Sequence, residues 1–288
     1  MTSNIELIGS YWTLAGSAEP HGSQEHSPFE FKDRVAAAAK AGFKGMELLG
    51  VDIEYTLQRR SLKEMKQILD DHGMKHIEVQ FLSDWFQDGE RKKESDKTKR
   101  FLLTAAEALG ARHLKIGDFE KQQIPMPRLI ESFSAVCADA ANHGTKVVYE
   151  LICDCSLTTV PLVLEMVSGA NAKNGGVMID LWHVVKLGIS YEEVARIPKQ
   201  YLLGVELNDG TLKCPWSLHE DTVNHRRFVG EGEFDVKGFV KCLLNAGYTG
   251  PFGVEVLSKE LRQKSLEEAA TSAFNTTMTA FPAKTTTA

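Results

Sequence analysis

The stretch "HGTKVVYELI", residues 143–152, runs from a glycine through a short polar turn into β-branched and aromatic residues. Gly144 falls where a helix would end in a left-handed cap, and Val147, Val148 and Tyr149 favour a strand. Upstream, "PRLIESFSAVCADAANH" (127–143) spaces its apolar residues as a helix does. The same phrase recurs as "AGFKGMELLG" (41–50), "HGMKHIEVQF" (72–81), "LGARHLKIG" (109–117) and "AGYTGPFGVEV" (246–256). Helical periodicity precedes each of these, in "FEFKDRVAAAAKA" (29–41), "LKEMKQILDDH" (62–72), "TKRFLLTAAEAL" (98–109) and "FDVKGFVKCLLNA" (234–246).

Three more apolar runs, "IELIGSYW" (5–12), "GVMIDLW" (176–182) and "LLGVELND" (202–209), bring the strand count to about eight. Strands alternating with helices require a parallel sheet, because each crossover helix must cover a sheet face. Eight such units within 288 residues match a (β/α)8 TIM barrel in count and length. The competitor, an open doubly wound sheet, wants a glycine-rich phosphate loop after its first strand, and "GSYWTLAGSAEPHG" (9–22) does not spell one. The barrel is expected over residues 1–281, with 282–288, ending "AKTTTA", as a frayed tail.

The net charge of −6 and the lack of a basic stripe argue against a nucleic-acid partner. The densest basic run, "RKKESDKTKR" (91–100), is broken by acids and reads as a solvated helix start. There is neither an eighteen-residue apolar run nor a signal-like N-terminus, so no membrane span is expected. Five cysteines without zinc or CxxC spacing read as reduced thiols, consistent with a cytoplasmic protein. A homo-oligomer is left open.

In a barrel the active site lies at the C-terminal ends of the strands, where carboxylates here accumulate. Strand 5 ends with Glu150, strand 6 with Asp180 and then His183, strand 7 with Glu206 and Asp209, and strand 8 with Glu255. Strand 2 offers Glu47, strand 3 Glu78 and Gln80, and strand 4 Lys115. One acid at a strand end is more often the N-cap of the next helix than a ligand. Successive strands ending in inward anions are different: they repel one another and are costly to desolvate unless a cation neutralises them. Oxygen-rich ligation suits a hard divalent ion, Mn2+ or Mg2+.

With "RRFVGEGEFD" (226–235) and "GYTGPFGVEV" (247–256), this set resembles the xylose isomerase-like barrels, the sugar phosphate isomerases and epimerases related to tagatose epimerases, inosose dehydratases and hydroxypyruvate isomerases. The resemblance covers nearly the whole chain and implies one divalent metal held by Glu150, Asp180, Glu206 and Glu255. It also implies Glu150 and Glu255 as the acid/base pair, with His183 beside the metal and Arg226 on a substrate oxygen. Arg227 is the alternative to Arg226, and His183 could equally be a satisfied core histidine. Where relatives usually read His-hydrophobic-Lys-Asp, this chain reads "ELND", so Glu206 replaces a histidine and should shift metal preference toward Mg2+ or Mn2+.

The chemistry implied is proton abstraction beside the carbonyl of a sugar, polyol or keto-sugar, as in an isomerase or epimerase. The alternative is a lyase working through the same enediolate, either a dehydratase or a β-eliminating keto-glycoside deglycosidase. A non-catalytic binding protein on this fold is the third reading. Substrate contacts are expected from Arg226, Lys115, Glu47 and Trp85. The last lies in "SDWFQDG" (83–89), and a second aromatic loop, "KCPWSLHEDTVNHRR" (213–227), carries Trp216. Those aromatics either stack on sugar faces or pack the loops.

Overall fold

The computed structural model describes residues 5–120 and 123–282. Eight parallel strands close into one barrel in chain order: β1 Leu7–Gly9, β2 Gly45–Leu49, β3 His76–Leu82, β4 His113–Ile116, β5 Lys146–Glu150, β6 Gly175–Asp180, β7 Leu202–Leu207 and β8 Phe252–Val254. Closure is made by β1 against β8, with Leu7 opposite Phe252 and Gly9 opposite Val254. The helices are α1 Tyr11–Leu14, α2 Phe31–Ala41, α3 Gly50–Leu57, α4 Leu62–Asp71, α5 Gly89–Leu109 and α6 Met126–Asn142, followed by α7 Val160–Ala170, α8 Leu181–Leu187, α9 Tyr191–Ala195, α10 Leu218–Asn224, α11 Val236–Asn245 and α12 Leu266–Met278. This is the expected (β/α)8 architecture. The tail beyond residue 282 lies outside the described residues.

The repeated phrase does what its glycines require. Gly42, Gly73, Gly110, Gly144 and Gly247 all have positive φ, so each ends a helix in a conformation that a Cβ would strain. Strand 1 is shorter than "IELIGSYW" suggested. After Ser10 the chain turns into α1, so Tyr11 and Trp12 are helical. The Thr13 hydroxyl replaces the ladder there, donating to the Val254 carbonyl at 2.7 Å and accepting from the Val256 N–H at 2.8 Å. The basic run 91–100 lies inside α5, whose Ser95 and Leu102 faces are buried.

The apolar core fills the shell between strands and helices, with Leu48, Val79, Leu114, Val147, Ile179, Val205 and Val254 pointing outward into it. The barrel interior is polar instead. Glu47, Glu78, His113, Lys115, Asp180 and Glu206 are all buried there. Gly253 makes this possible: a Cβ on it would lie 2.7 Å from Glu206 Cγ, so β8 carries no side chain where Glu206 crosses the bore.

Candidate functional site

The strand-end carboxylates converge. Oxygens of Glu150, Asp180, Glu206 and Glu255 lie within 4.8 Å of one another, and Glu150, Asp180 and His183 form a second set within the same limit. Register explains the meeting, since Asp180 is the cross-strand partner of Glu206 and Glu206 that of Gly253.

Asp180 does two jobs. One carboxylate oxygen caps α8, accepting from the Trp182 N–H at 2.6 Å, and also takes the Asn208 amide at 2.8 Å. Its other oxygen accepts from Arg226 at 2.6 Å. The capping and the clustered readings of this aspartate therefore coexist.

Lys115 stands in the middle, fully buried. Its ammonium lies 2.7 Å from Glu47, 2.8 and 3.0 Å from the two Glu206 oxygens, and 3.8 and 3.9 Å from Glu255 and Glu150. Burial opposes its charge, yet Glu150, Glu206, Glu47 and Glu255 together hold its pKa well above the ordinary lysine value. Arg226 bridges Asp180 and Glu255, the latter at 3.0 Å, and Thr222 steadies its guanidinium at 2.8 Å. Arg227 goes elsewhere, donating to the Glu231 carbonyl at 3.2 Å, so of the two adjacent arginines it is Arg226 that sits in the cluster.

Among the described residues two cations thus face five carboxylates, and the shortfall appears in the protonation of three of them. Burial first, and then Glu255, Asp180 and Glu47, raise the Glu150 pKa to about 8 against the pull of Lys115. Burial and Glu255 raise Glu206 as well, and burial does the same to Glu47. Among the described residues Glu150 meets no hydrogen-bond donor, and its one ion pair is the 3.9 Å approach of Lys115. A buried carboxylate in that state binds a proton or a metal ion.

His183 is buried, and its Nδ1 accepts from the Cys153 backbone N–H at 3.2 Å, with the Cys153 thiol 3.3 Å away. Burial, with Arg226 and Lys115 nearby, holds its pKa well below the usual histidine value. The neutral ring therefore carries its proton on Nε2 and presents a donor.

The cluster floors a cavity of about 240 Å³ bounded by Gln80, Glu150, His183, Arg226 and Glu255 below, and by Trp12, Leu49, Phe81, Phe119, Ile152 and Leu257 above, with His21, Glu25, His219 and Thr222 adding polar groups to its wall. Lys115, Glu206 and Glu47 lie beneath that floor, so Lys115 and Glu47 support the site from below instead of lining it as substrate contacts. Trp85 is also elsewhere. It is buried, donates to the Gly117 carbonyl at 2.9 Å and packs edge-on against Phe86, Phe133 and Tyr149. Trp216 stacks on His225 at 3.6 Å on the rim. Asp209 turns outward and organises the 226–235 loop, accepting from the Gly230 and Phe234 N–H groups at 2.9 and 3.0 Å.

Sequence reasoning missed Ser10, whose hydroxyl donates to Glu47 and lies 3.1 Å from Glu255 and 3.4 Å from Glu206. It also missed Asn208 and the apolar upper wall. The first two were accessible from period-two alternation: Asn208 follows Glu206 on the same face, and Ser10 continues the inward side of β1.

The chain belongs to the xylose isomerase-like TIM barrel family, whose model matches residues 35–274. It is 23% identical over 239 residues to a 3-dehydroshikimate dehydratase of Pseudomonas aeruginosa, covering 80% of this chain and 36% of that protein. It is 31% identical over 143 residues to an inosose isomerase of Halalkalibacterium halodurans, covering 48% of this chain and 49% of that one. The chain thus spans between about a third and a half of the length of these relatives. Among solved structures, the IolI protein with a bound zinc atom superposes with a TM-score of 0.78 at 19% identity, over 96% of this chain and 98% of that one, which is a likeness of fold.

Proposed function

We propose that this protein is a divalent-metal-dependent isomerase or epimerase that moves a proton beside the carbonyl of a sugar, polyol or keto-sugar. The carrying observation is Glu150, a cavity-lining carboxylate that meets no hydrogen-bond donor among the described residues and has an oxygen within 4.8 Å of those of Asp180, Glu206 and Glu255, placed to move a proton of whatever sits in the cavity.

The donor set fits a metal. Four carboxylates with oxygens within 4.8 Å of one another, opposed among the described residues by Lys115 and Arg226, leave an excess of negative charge that one hard divalent ion such as Mn2+ or Mg2+ would relieve. Glu150, Asp180, Glu206 and Glu255 would hold it, and when bound it would polarise substrate oxygens and acidify the adjacent C–H. This chain's own groups do the rest. Glu150 takes the proton from one side, Glu255, held by Arg226 at 3.0 Å, works from the other, and Arg226 and the His183 Nε2–H hold substrate oxygens. Lys115 fixes Glu206 and Glu47 beneath them. His183, expected from the sequence to stand beside the metal, acts in this reading as a hydrogen-bond donor to the substrate.

A lyase using the same abstraction is the second reading, favoured by the similarity over 80% of the chain to a named dehydratase. One experiment tests both. Purified protein is stripped with chelator, reloaded with Mn2+ or Mg2+, and incubated in D2O with a panel of keto-sugars, inososes and 3-dehydroshikimate. Metal-dependent deuterium uptake beside the carbonyl, in a product that differs from the substrate in composition by that deuterium alone, establishes isomerisation or epimerisation, and loss of water establishes the lyase. No metal-dependent exchange or product on any member would overturn the proposal.

A further inference from the structure

Above the carboxylate floor the cavity has an apolar wall, with His21, Glu25, His219 and Thr222 as the polar members of the lining. Trp12, Leu49, Phe81, Phe119, Ile152 and Leu257 form a collar directly above Glu150, Arg226 and Glu255. Sugar hydroxyls pressed against Leu49, Ile152 and Leu257 would lose water and find no partner. Phe119 is the telling member. It is 54% exposed at the rim, yet its ring is set beside Phe81, with centroids 5.5 Å apart, and edge-on to His21 at 6.1 Å. An aromatic ring left in water and flanked by two other rings forms one wall of a slot for a flat group.

We infer that the substrate is a polyhydroxylated keto ring bearing a flat apolar substituent, of the aryl keto-glycoside class, with its oxygens on the carboxylate floor and its aryl group in the collar against Phe81 and Phe119. This rests on the proposed carbonyl chemistry for the lower half, but it makes a separate claim about binding. The continuity of the two halves argues for one occupant: the collar opens straight onto the floor, so a group in it is attached to whatever sits below.

The test reads binding alone, so it can fail independently of turnover. Dissociation constants are measured by calorimetry on the Mn2+-loaded full chain for matched phenyl and methyl glycosides of glucose, galactose and xylose, with phenol as a control. In at least one pair the phenyl glycoside should bind roughly 10–100-fold tighter than the methyl one, the order expected for burying one aromatic ring. Phe119→Ala should remove most of that ratio and leave the methyl glycoside's affinity unchanged, and Phe119→Tyr should restore it. Phe119 is exposed, so the variant should fold, and its melting temperature confirms this. Equal affinities in every pair, a ratio that survives Phe119→Ala, or phenol binding as tightly as any phenyl glycoside would overturn the inference. So would a dimer that Phe119→Ala dissociates, because the collar would then be an interface between copies. A failed deuterium exchange with an intact phenyl preference would instead count against the proposed reaction alone.

Discussion

The barrel interior holds buried charge at two levels, and the two are built oppositely. Nearer the N-terminal ends of the strands, Glu78 pairs with Arg112 at 2.9 Å and approaches His113 at 3.4 Å. Burial pushes the Glu78 pKa up, but His113 and Arg112 more than offset it and hold the carboxyl at about 2. One layer toward the mouth, Glu150 is as deeply placed, yet burial and neighbouring anions raise it to about 8. Burial is common to both, so it does not decide the outcome. The local balance of charge does. A balanced layer serves the fold, while an unbalanced one stores binding energy for a proton, a cation or a substrate.

The largest expected effect would break this comparison if it failed. Glu150→Gln keeps shape and removes the free carboxylate. Turnover should fall by about 10²–10⁴-fold, the usual worth of a general base. Stability should hold or rise, since an unpaired buried anion is gone. Steady-state kinetics beside a thermal melt check both halves. A Glu150→Gln variant that melts at a much lower temperature while keeping its turnover would place Glu150 with the structural layer.

Glu78→Gln is the mirror case. It leaves Arg112 without its partner, and breaking a buried pair costs about 3–5 kcal/mol. Arg112 is 27% exposed and can reach water, so about 2–3 kcal/mol is expected. Urea unfolding measures that loss, and turnover per folded molecule should change by less than about threefold. A large loss of activity with stability intact would mean that the lower layer tunes the upper one through Lys115.

Much of this organisation was legible in the sequence. Five glycine-to-strand phrases gave the barrel, because a left-handed cap followed by β-branched residues has few other structures. Glu150, Asp180, Glu206 and Glu255 were readable because barrel geometry sends strand ends to one mouth. Alternation also separates Glu206 from Asp209, which sits three residues on and faces away. The pairing of Lys115 with Glu206 was not legible, since it crosses the bore between residues 91 positions apart. Trp85 misled because a tryptophan after a strand looks the same whether its ring turns into the core or into the cavity. The apolar collar comes from loops and strand ends of several units, and no periodicity marks it.

The smallest effect per unit step, and the sharpest test of the two-layer contrast, is pH. No single group contributes more than about 1.4 kcal/mol per pH unit. Glu150 is raised from the ordinary 4.5 to about 8, so the folded state binds more protons than the unfolded one between those values. Stability of the chelated protein should therefore fall as pH climbs from about 4.5 to 8. Glu78 is depressed to about 2, so its contribution is complete above 4.5 and is lost as pH drops toward 2. The two layers thus own opposite arms of one stability curve. Glu150→Gln should flatten the upper arm without touching the lower, with Glu206 and Glu47, also raised, keeping part of the slope. Glu78→Gln should flatten only the lower arm. Adding Mn2+ should flatten the upper arm in the wild type, because a cation favours the ionised carboxylates that the proton otherwise occupies. Urea titrations in EDTA from pH 3 to 8 for the three proteins read this directly. An upper arm of equal slope in wild type and Glu150→Gln would show that the mouth shares its excess charge among the other carboxylates, and that Glu150 is not its focus.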